Sequence, residues 1–166
     1  MKLRVKLLYA DAKLPERANP DDSGADVFAH NVKRIYTHGD DWGEEKCIEP
    51  ETSTFPLILQ PGERALIGTG IAATVGTGYE IQARSRSGVA LKQGMIIGNS
   101  PGTIDASYRG EIGIILVNNS LGRQTIEKGN KIAQLVVAKV ECCEIEKVEN
   151  LPETNRGAGG FGSTGK

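Results

Sequence analysis

Short runs in which apolar and polar residues alternate recur along the chain, and such alternation is typical of β-strands that bury one face. Glycine, proline and asparagine separate the runs at intervals of about ten residues, which favours an all-β sandwich or barrel. The predicted strands are residues 3–7, 23–29, 57–59, 64–67, 71–75, 79–82, 94–97, 111–117, 124–126, 131–137 and 143–148. Residues 83–92 are predicted to form one short helix, and strands 57–59 and 64–67 to form a hairpin around Pro61-Gly62.

The segment between strands 94–97 and 111–117 is the strongest candidate for a functional site. It contains Pro101, three glycines, Asp105 and Tyr108, and its flanks predict a β-hairpin. Backbone donors and acceptors near a tight hairpin tip lack ladder partners, and a flat ligand with its own donors and acceptors can satisfy them. Asp105 and Tyr108 would then stand beside that ligand. In the alternative interpretation they only close a surface turn.

Two further segments have the composition of binding sites. The start of helix 83–92 combines backbone N–H groups with arginine, serine and glycine, which suits a phosphate group. The chain after residue 150 ends in a glycine-rich stretch, where Arg156 and Phe161 suit a flexible arm that meets phosphates and stacks on a base. The alternatives are a solvated surface helix and a disordered tail.

Residues 31–55 depart from the strand pattern. Their middle is polar, acidic and without period, and it carries the only tryptophan of the chain, Trp42. We interpret this segment as an exposed excursion, with a hairpin as one form it can take. A solvated loop is the favoured interpretation, and a surface for an unknown protein partner is the alternative.

Composition narrows the class of protein. The 166 residues, 39% hydrophobic and 25% charged, fit one globular domain over residues 1–150 followed by an arm over residues 151–166. No apolar run reaches the ~18 residues of a membrane helix. A net charge of −1 gives no electrostatic footprint for a nucleic-acid backbone, whereas a mononucleotide needs only a few local cations.

The cysteines and histidines indicate the compartment and the kind of metal. Three cysteines, two of them adjacent, favour reduced thiols and a cytoplasmic location. The cysteines and the two histidines lack the spacing of a zinc site. A metal would therefore be a hard ion bound through oxygen, and Mg²⁺ with phosphates is the expected one.

Five motifs in fixed order resemble those of the trimeric deoxyuridine triphosphatases (dUTPases). They are residues 23–29, 86–90, 102–110, 129–135 and 156–165. The resemblance implies a β-clip fold, a jelly-roll-like distorted barrel, assembled as a homotrimer with active sites shared between subunits. It also implies Mg²⁺-dependent hydrolysis of dUTP to dUMP and pyrophosphate, which keeps uracil out of DNA and supplies dUMP for dTMP synthesis.

The resemblance also implies roles for individual residues. Asp105 would deprotonate the water that attacks the α-phosphorus, and Tyr108 would lie against the deoxyribose and leave no space for a 2′-hydroxyl. The uracil edge would pair with the hairpin at Asn99, Gly102, Thr103 and Ile104. Phosphate would be bound by Arg86, Ser87 and Gly88 of a second subunit.

Further implied roles concern the metal and the arm. Asp26 and Gln134 would hold waters around the Mg²⁺–triphosphate rather than ligate the ion directly. In the arm, Phe161 would stack on uracil and Arg156 would reach the γ-phosphate. The remaining implied contacts of the arm with substrate are Gly162, Ser163 and Thr164.

Two other functions compete with this one. A dCTP deaminase is similar in fold, but that family has its catalytic glutamate at the position of Ile115, and an aliphatic side chain cannot transfer protons. A nucleotide-gated regulatory binding protein would use Trp42 as its contact. The sequence departs from the usual motifs at Ser85, which replaces a proline and is expected to loosen its turn, and at Asn130 and Lys131.

Overall fold

The computed structural model describes residues 1–38, 45–50 and 55–160. Within them the chain forms short strands and one helix. In chain order these are β1 (Arg4–Leu7), β2 (Gly24–Phe28), β3 (Asn31–His38), β4 (Glu45–Ile48), β5 (Leu57–Leu59), β6 (Arg64–Gly68), β7 (Ile71–Thr74), β8 (Tyr79–Arg84), α1 (Ser87–Gln93), β9 (Met95–Ile97), β10 (Gly102–Ile104), β11 (Gly113–Asn118), β12 (Gln124–Ile126) and β13 (Lys131–Lys139). The predicted all-β class is confirmed.

Antiparallel pairing arranges these strands in four sheets. A five-stranded sheet has the order β4-β3-β6-β11-β9, and a four-stranded sheet has the order β10-β8-β13-β2. The pairs β1-β7 and β12-β5 form two small sheets. None of the four closes into a barrel within the described part of the chain, so the architecture is that of packed open sheets.

The core explains why alternation predicted the strands well. In β6 the side chains of Ala65 and Ile67 are fully buried, and in β11 those of Ile114 and Leu116 are buried, with less buried residues between them. Residues two apart in a strand lie on the same face, so each strand buries one side against the other sheets. The core so formed is shared by the larger and the smaller sheets.

The predicted hairpin of residues 57–67 is wrong in its pairing. Both strands exist, but β5 pairs with β12, while β6 pairs with β3 and β11. The turn between them is bonded to the end of β11 instead: Asn118 O accepts the Gly62 N–H at 2.7 Å, and Asn118 Nδ2 donates to Leu59 O at 2.9 Å. These two hydrogen bonds join residues that are far apart in the sequence, and they accompany the placement of β5 and β6 in different sheets.

One boundary and one predicted strand also differ from expectation. The helix begins at Ser87 rather than at residue 83, because Ala83 and Arg84 continue β8 in its pairing with β13. Residues 143–148 form no strand; they are exposed, with Ile145 95% accessible. The alternation is present there, but no sheet of the described chain lies beside it.

The expected exposed excursion of residues 31–55 is partly corrected. Its hairpin exists as β3 and β4, but β3 also pairs with β6, so Asn31 and Val32 are buried in the five-stranded sheet. Trp42 lies outside the described residues. In the part of the chain that is described, no helix has the length and apolar character needed to span a membrane.

We expect Leu59→Ala to lower the free energy of unfolding by about 2–5 kcal/mol, because Leu59 is fully buried and a cavity remains after truncation. Ile58→Ala is the matched control in the same strand, since Ile58 is 46% exposed. Its effect should stay within about 0.5 kcal/mol. Denaturation in urea at one fixed protein concentration measures both, and equal losses would contradict the assignment of the core.

Candidate active site

The hairpin predicted between residues 94 and 117 is confirmed in the pairing of its flanking strands but corrected at its tip, which contains a further strand. Strands β9 and β11 pair antiparallel, with Ile97 opposite Leu116. Between them the chain leaves this sheet and adds β10 to the four-stranded sheet, where Gly102 lies opposite Ala83 of β8. The segment therefore bridges the two large sheets.

Strand β10 presents an open backbone edge. It is the outermost strand of its sheet and pairs only with β8. Backbone groups on the other edge of such a strand have no ladder partner, so they are available to a ligand. Asn99 packs beside Gly102, where a Cβ would approach Asn99 Nδ2 to 3.1 Å, and Thr103 is exposed.

Asp105 follows β10 directly. It is exposed and lines a cavity of about 570 Å³ together with Thr77, Glu80 and Arg109. Its carbonyl accepts the Tyr108 N–H at 3.0 Å, which closes the loop into a turn. The neighbouring Ala106 is also tied to the protein body, because its carbonyl accepts the Thr74 hydroxyl at 3.0 Å.

Tyr108 is folded back along its own loop. Its hydroxyl donates to the carbonyl of Glu111 at 3.0 Å, and its ring lies over Gly110, where any Cβ would overlap the phenol. The side chain is still 44% exposed. The ring therefore keeps a fixed position with one face available to a ligand.

The candidate phosphate residues line a second cavity of about 370 Å³. Its walls bring together the predicted residues Asp26, Arg86, Ser87, Gly88 and Gln134. Gln134 donates from Nε2 to Ser85 O at 3.0 Å, and its Oε1 occupies the space that a Cβ of Gly24 would fill. Ser85 does not loosen this turn, since its hydroxyl accepts the Ile97 N–H at 2.9 Å.

Arg86 is already paired with a carboxylate. Its Nε and Nη2 donate to Asp26 Oδ1 and Oδ2 at 2.7 and 3.2 Å. Lys131 Nζ lies 3.2 Å from Asp26 Oδ2, so Lys131, which departs from the usual motif, joins the same ion pair. Three of about four acceptor positions of Asp26 are thus in use, and the fork that holds the guanidinium also orients it along the cavity wall.

The two cavities have no lining residue in common. The cavity of Asp105 includes Glu80 in β8, whereas the other cavity includes Arg86 just after β8. Six residues of extended chain separate these positions by roughly 20 Å. One protomer therefore does not assemble Asp105 and Arg86 into a single pocket.

The C-terminal segment begins at Val140, whose N–H donates to Gly78 O at 2.9 Å, and Cys142 still lines the cavity of Asp105. Residues 141–158 are exposed. Arg156 Nε donates to Gly159 O at 2.8 Å within the segment itself, so Arg156 is not brought to either cavity. The predicted site residues Phe161, Gly162, Ser163 and Thr164 lie outside the described residues.

Glu111 and its partners form a network that no motif of the sequence predicts. Burial raises the pKa of the Glu111 carboxyl, but the ion pair with Lys33, the Gly70 N–H and the Asn31 amide together lower it below its ordinary value. Glu111 also lies at the end of the loop that contains Asp105, where its carbonyl accepts the Tyr108 hydroxyl. The one signal in the sequence was a charged residue at the start of the predicted strand 111–117.

The described residues contain no group of three or more His, Cys, Asp or Glu side chains that could hold a metal ion. The oxygens of Asp26 and Gln134 at the second cavity suit a hard ion approached through water. This donor set fits an ion bound mainly by a ligand's own phosphates.

Comparison with known proteins gives a consistent result. The model of the dUTPase family matches residues 52–165. Deoxyuridine 5′-triphosphate nucleotidohydrolase of Clostridium tetani is 46% identical over 164 residues, which is 99% of this chain and 97% of the relative. The protein of the same name from Chlamydia muridarum is 48% identical over 96% of this chain and 95% of the relative.

Solved structures agree with these relatives. A variant dUTPase of Staphylococcus bacteriophage 80alpha with dUpNHpp has a TM-score of 0.76 and 30% identity over 99% of both chains. A variant dUTPase from phage phi11 of S. aureus has a TM-score of 0.70 and 27% identity over 92% of this chain and 100% of the other. The second is described as showing the coordination of a structural Mg(II) ion.

We expect Glu111→Gln to lower the free energy of unfolding by about 1–3 kcal/mol at neutral pH, because it removes charge-assisted bonds. Since the folded pKa is lowered, the unfolded state binds more protons in the window between the two pKa values. The stabilisation is fully present above the ordinary value of 4.5 and is lost as the pH falls through the folded value.

Urea denaturation between pH 3 and pH 7 (roughly the range over which carboxylates titrate) measures this difference. The gap between wild type and variant should shrink on acidification. A gap independent of pH would contradict the role of the carboxylate. Glu49→Gln is the control, since Glu49 forms an exposed ion pair with Arg34 at 2.7 Å and should contribute less than about 1 kcal/mol.

Proposed function

We infer that this chain, which belongs to the dUTPase family, hydrolyses dUTP to dUMP and pyrophosphate. The observation that carries this inference is the hairpin of residues 98–110, in which an open strand edge leads directly into an exposed carboxylate, Asp105. The relatives named above, which share almost the full length of the chain, support it. The activity removes a precursor of uracil in DNA and supplies dUMP for dTMP synthesis.

We propose that Asp105 is the general base. A carboxylate within hydrogen-bond reach of a water can orient that water and take its proton as the oxygen attacks the α-phosphorus. Asp105 is exposed to the larger cavity and held by the turn that its carbonyl makes with Tyr108. Water and phosphate can therefore approach it from the cavity side.

The nucleoside is proposed to bind along the outer edge of β10. Asn99, Gly102, Thr103 and Ile104 offer backbone and amide groups to the edge of uracil. Cytosine presents the opposite donor and acceptor pattern, so it would leave buried polar groups unpaired at a cost of about 1–3 kcal/mol each. The methyl of thymine would collide with the hairpin.

Sugar selectivity is assigned to Tyr108. Its ring is fixed over Gly110 by the hydrogen bond to Glu111 O, and the exposed face is proposed to lie against the deoxyribose. A ring in contact with C2′ leaves no volume for a hydroxyl there. This accounts for a preference for dUTP over UTP.

We propose that the phosphates are bound by Arg86, Ser87 and Gly88 of a neighbouring subunit in a homotrimer. The separation of the two cavities within one protomer supports this arrangement. So does the exposure of apolar side chains such as Ile145, Leu151 and Leu121, which an assembly can cover.

The arm over residues 151–166 is proposed to close over a neighbour's site. Phe161 would stack on uracil, Arg156 would reach the γ-phosphate, and Gly162, Ser163 and Thr164 would contact phosphates. The exposure of residues 141–158 supports an arm that serves another subunit. Closure would exclude bulk water and hold the triphosphate in line for attack.

Mg²⁺ is the proposed cofactor. Bound to the triphosphate, it would neutralise charge that develops on the phosphate oxygens. Gln134 and Asp26 would hold its waters, with Asp26 also keeping Arg86 oriented. A cytoplasmic location is proposed as well, because Cys47, Cys142 and Cys143 are free thiols.

The competing deaminase activity has no support at its key position. Ile115 lies in β11 opposite Leu66, and its carbonyl accepts the Gly98 N–H at 2.9 Å. The side chain offers no group that exchanges protons. A partner-binding role for Trp42 stays a prediction.

We expect purified protein with Mg²⁺ to hydrolyse dUTP to dUMP and pyrophosphate, and to release pyrophosphate from dCTP, dTTP or UTP far more slowly under the same conditions. Asp105→Asn should lower kcat by about 100-fold or more, because an amide cannot accept the proton. Asp21→Asn, a change at an exposed carboxylate, is the control. Conversion of dCTP to dUTP would support the alternative deaminase activity. Full activity of Asp105→Asn would refute the role of Asp105 as general base.

Deletion of the residues after Asn155 should nearly abolish turnover while the trimer stays assembled, because residues 156–158 are exposed and Arg156 is bonded to Gly159 within its own segment. Light scattering gives the oligomeric state, and a coupled pyrophosphate assay gives the rate. Full activity of the truncated protein would contradict the proposed role of the arm in turnover.

Tyr108→Ala should raise activity on UTP relative to dUTP, because the space for a 2′-hydroxyl opens. The ratio of kcat/KM values for the two nucleotides is the measurement. Ser107→Ala, in the same exposed loop, is the control and should keep the wild-type ratio. An unchanged ratio in Tyr108→Ala would count against contact with the sugar.

A further inference from the structure

Glu111 connects three parts of the fold. Its Oε1 accepts the Gly70 N–H at 2.8 Å and Asn31 Nδ2 at 3.0 Å, and its Oε2 lies 2.6 Å from Lys33 Nζ. Its backbone carbonyl accepts the Tyr108 hydroxyl at 3.0 Å. The side chain thus fastens the end of the catalytic loop to β3 and to the turn between β6 and β7.

Gly68 and Asn31 provide the space and a hydrogen-bond donor for the Glu111 carboxylate. A Cβ at Gly68 would overlap both Asn31 Oδ1 and Glu111 Oε1, so glycine at position 68 leaves the space that they occupy. Asn31 Nδ2 also lies 3.2 Å from His30 Nδ1, while Asn31 Oδ1 is buried without a hydrogen-bond partner. An unpaired buried oxygen costs free energy of folding. In Asn31 that oxygen belongs to the same amide whose nitrogen donates to Glu111.

The backbone after Glu111 is equally constrained. The Ile112 side chain is fully buried, its N–H donates to Ile71 O at 2.8 Å, and its carbonyl accepts the Thr69 hydroxyl at 2.7 Å. The Glu111 carbonyl, which accepts the Tyr108 hydroxyl, is therefore fixed in two ways: by the contacts of the Glu111 side chain and by the buried residue that follows, Ile112.

We propose that Glu111 is a positioning residue: by fixing that carbonyl, it holds the Tyr108 ring over Gly110 and so sets the selectivity of the site for dUTP over UTP. The proposal rests on the proposed function, in which Tyr108 excludes the 2′-hydroxyl. Glutamine at position 111 keeps the volume but places an amide donor or a neutral oxygen against Lys33. The backbone then relaxes, the Tyr108 hydrogen bond weakens, and the ring moves off the sugar.

The test compares Glu111→Gln, Tyr108→Phe and the double variant with wild type, using kcat/KM for dUTP and for UTP. Tyr108→Phe keeps the ring and removes only the hydrogen bond. Each single variant should lower the dUTP/UTP ratio by about tenfold to a hundredfold, as expected for a misplaced contact. The double variant should lose no more than the more damaging single one, because both changes act on the same bond.

Glu49→Gln serves as the control, since it removes an ion pair to the neighbouring Arg34 without touching the loop, and it should keep the wild-type ratio. A merely structural role of Glu111 would lower stability and leave the ratio unchanged. That result, or losses that add in the double variant, would overturn the proposal. If Glu111→Gln does not fold, Tyr108→Phe decides, and a wild-type ratio in that variant refutes the positioning role.

The outcome for wild type separates this proposal from the one on which it rests. A wild type that does not hydrolyse dUTP refutes the proposed function and the positioning role together. A selective wild type with equally selective variants refutes only the positioning role.

Discussion

The architecture of the site depends on one constraint, the attachment of a single loop to two sheets. Strands β9 and β11 pair with each other in the five-stranded sheet, yet the chain between them must reach β8 in the other sheet and return. Few conformations allow this path, so Asp105 has a fixed place at the end of β10. Glu111 and the buried Ile112 then fix the return. A carboxylate at the tip of a free hairpin would lack this order.

The same sheets that order the loop also divide the proposed site. Strand β8 is paired on both edges, with β10 and β13, and extends from the cavity of Asp105 towards that of Arg86. A paired strand does not bend enough to bring its ends together. The proposed catalytic base at one end and the proposed phosphate-binding arginine at the other would therefore need partners from other subunits. Homotrimeric assembly becomes part of the proposed chemistry.

The alternation of apolar and polar residues was sufficient to predict most strands, because a strand that buries one face has an apolar residue at every second position. Residues 143–148 have the same period but no neighbouring strand in the described chain, so alternation alone failed there. Pairing was less predictable: the turn at Gly62 is directed by Asn118, which is close in space and distant along the chain. The same limit applies to the site. The motifs indicated Asp105, Tyr108 and Arg86, but the pairing of Arg86 with Asp26 and the network of Glu111 depend on contacts between remote segments.

The course of the C-terminal segment has a consequence for how the proposed site closes. In the proposed function, residues 141–156 serve as a tether between the body and the residues that follow. A flexible chain of this length has a root-mean-square span of roughly 20 Å. Groups held on such a tether reach a target within that range at an effective concentration on the order of millimolar. Weak individual contacts from the proposed arm would then be enough to cover the nucleotide. If each contact is weak, the proposed arm would also separate readily from product, so that tight coverage and rapid release would be compatible.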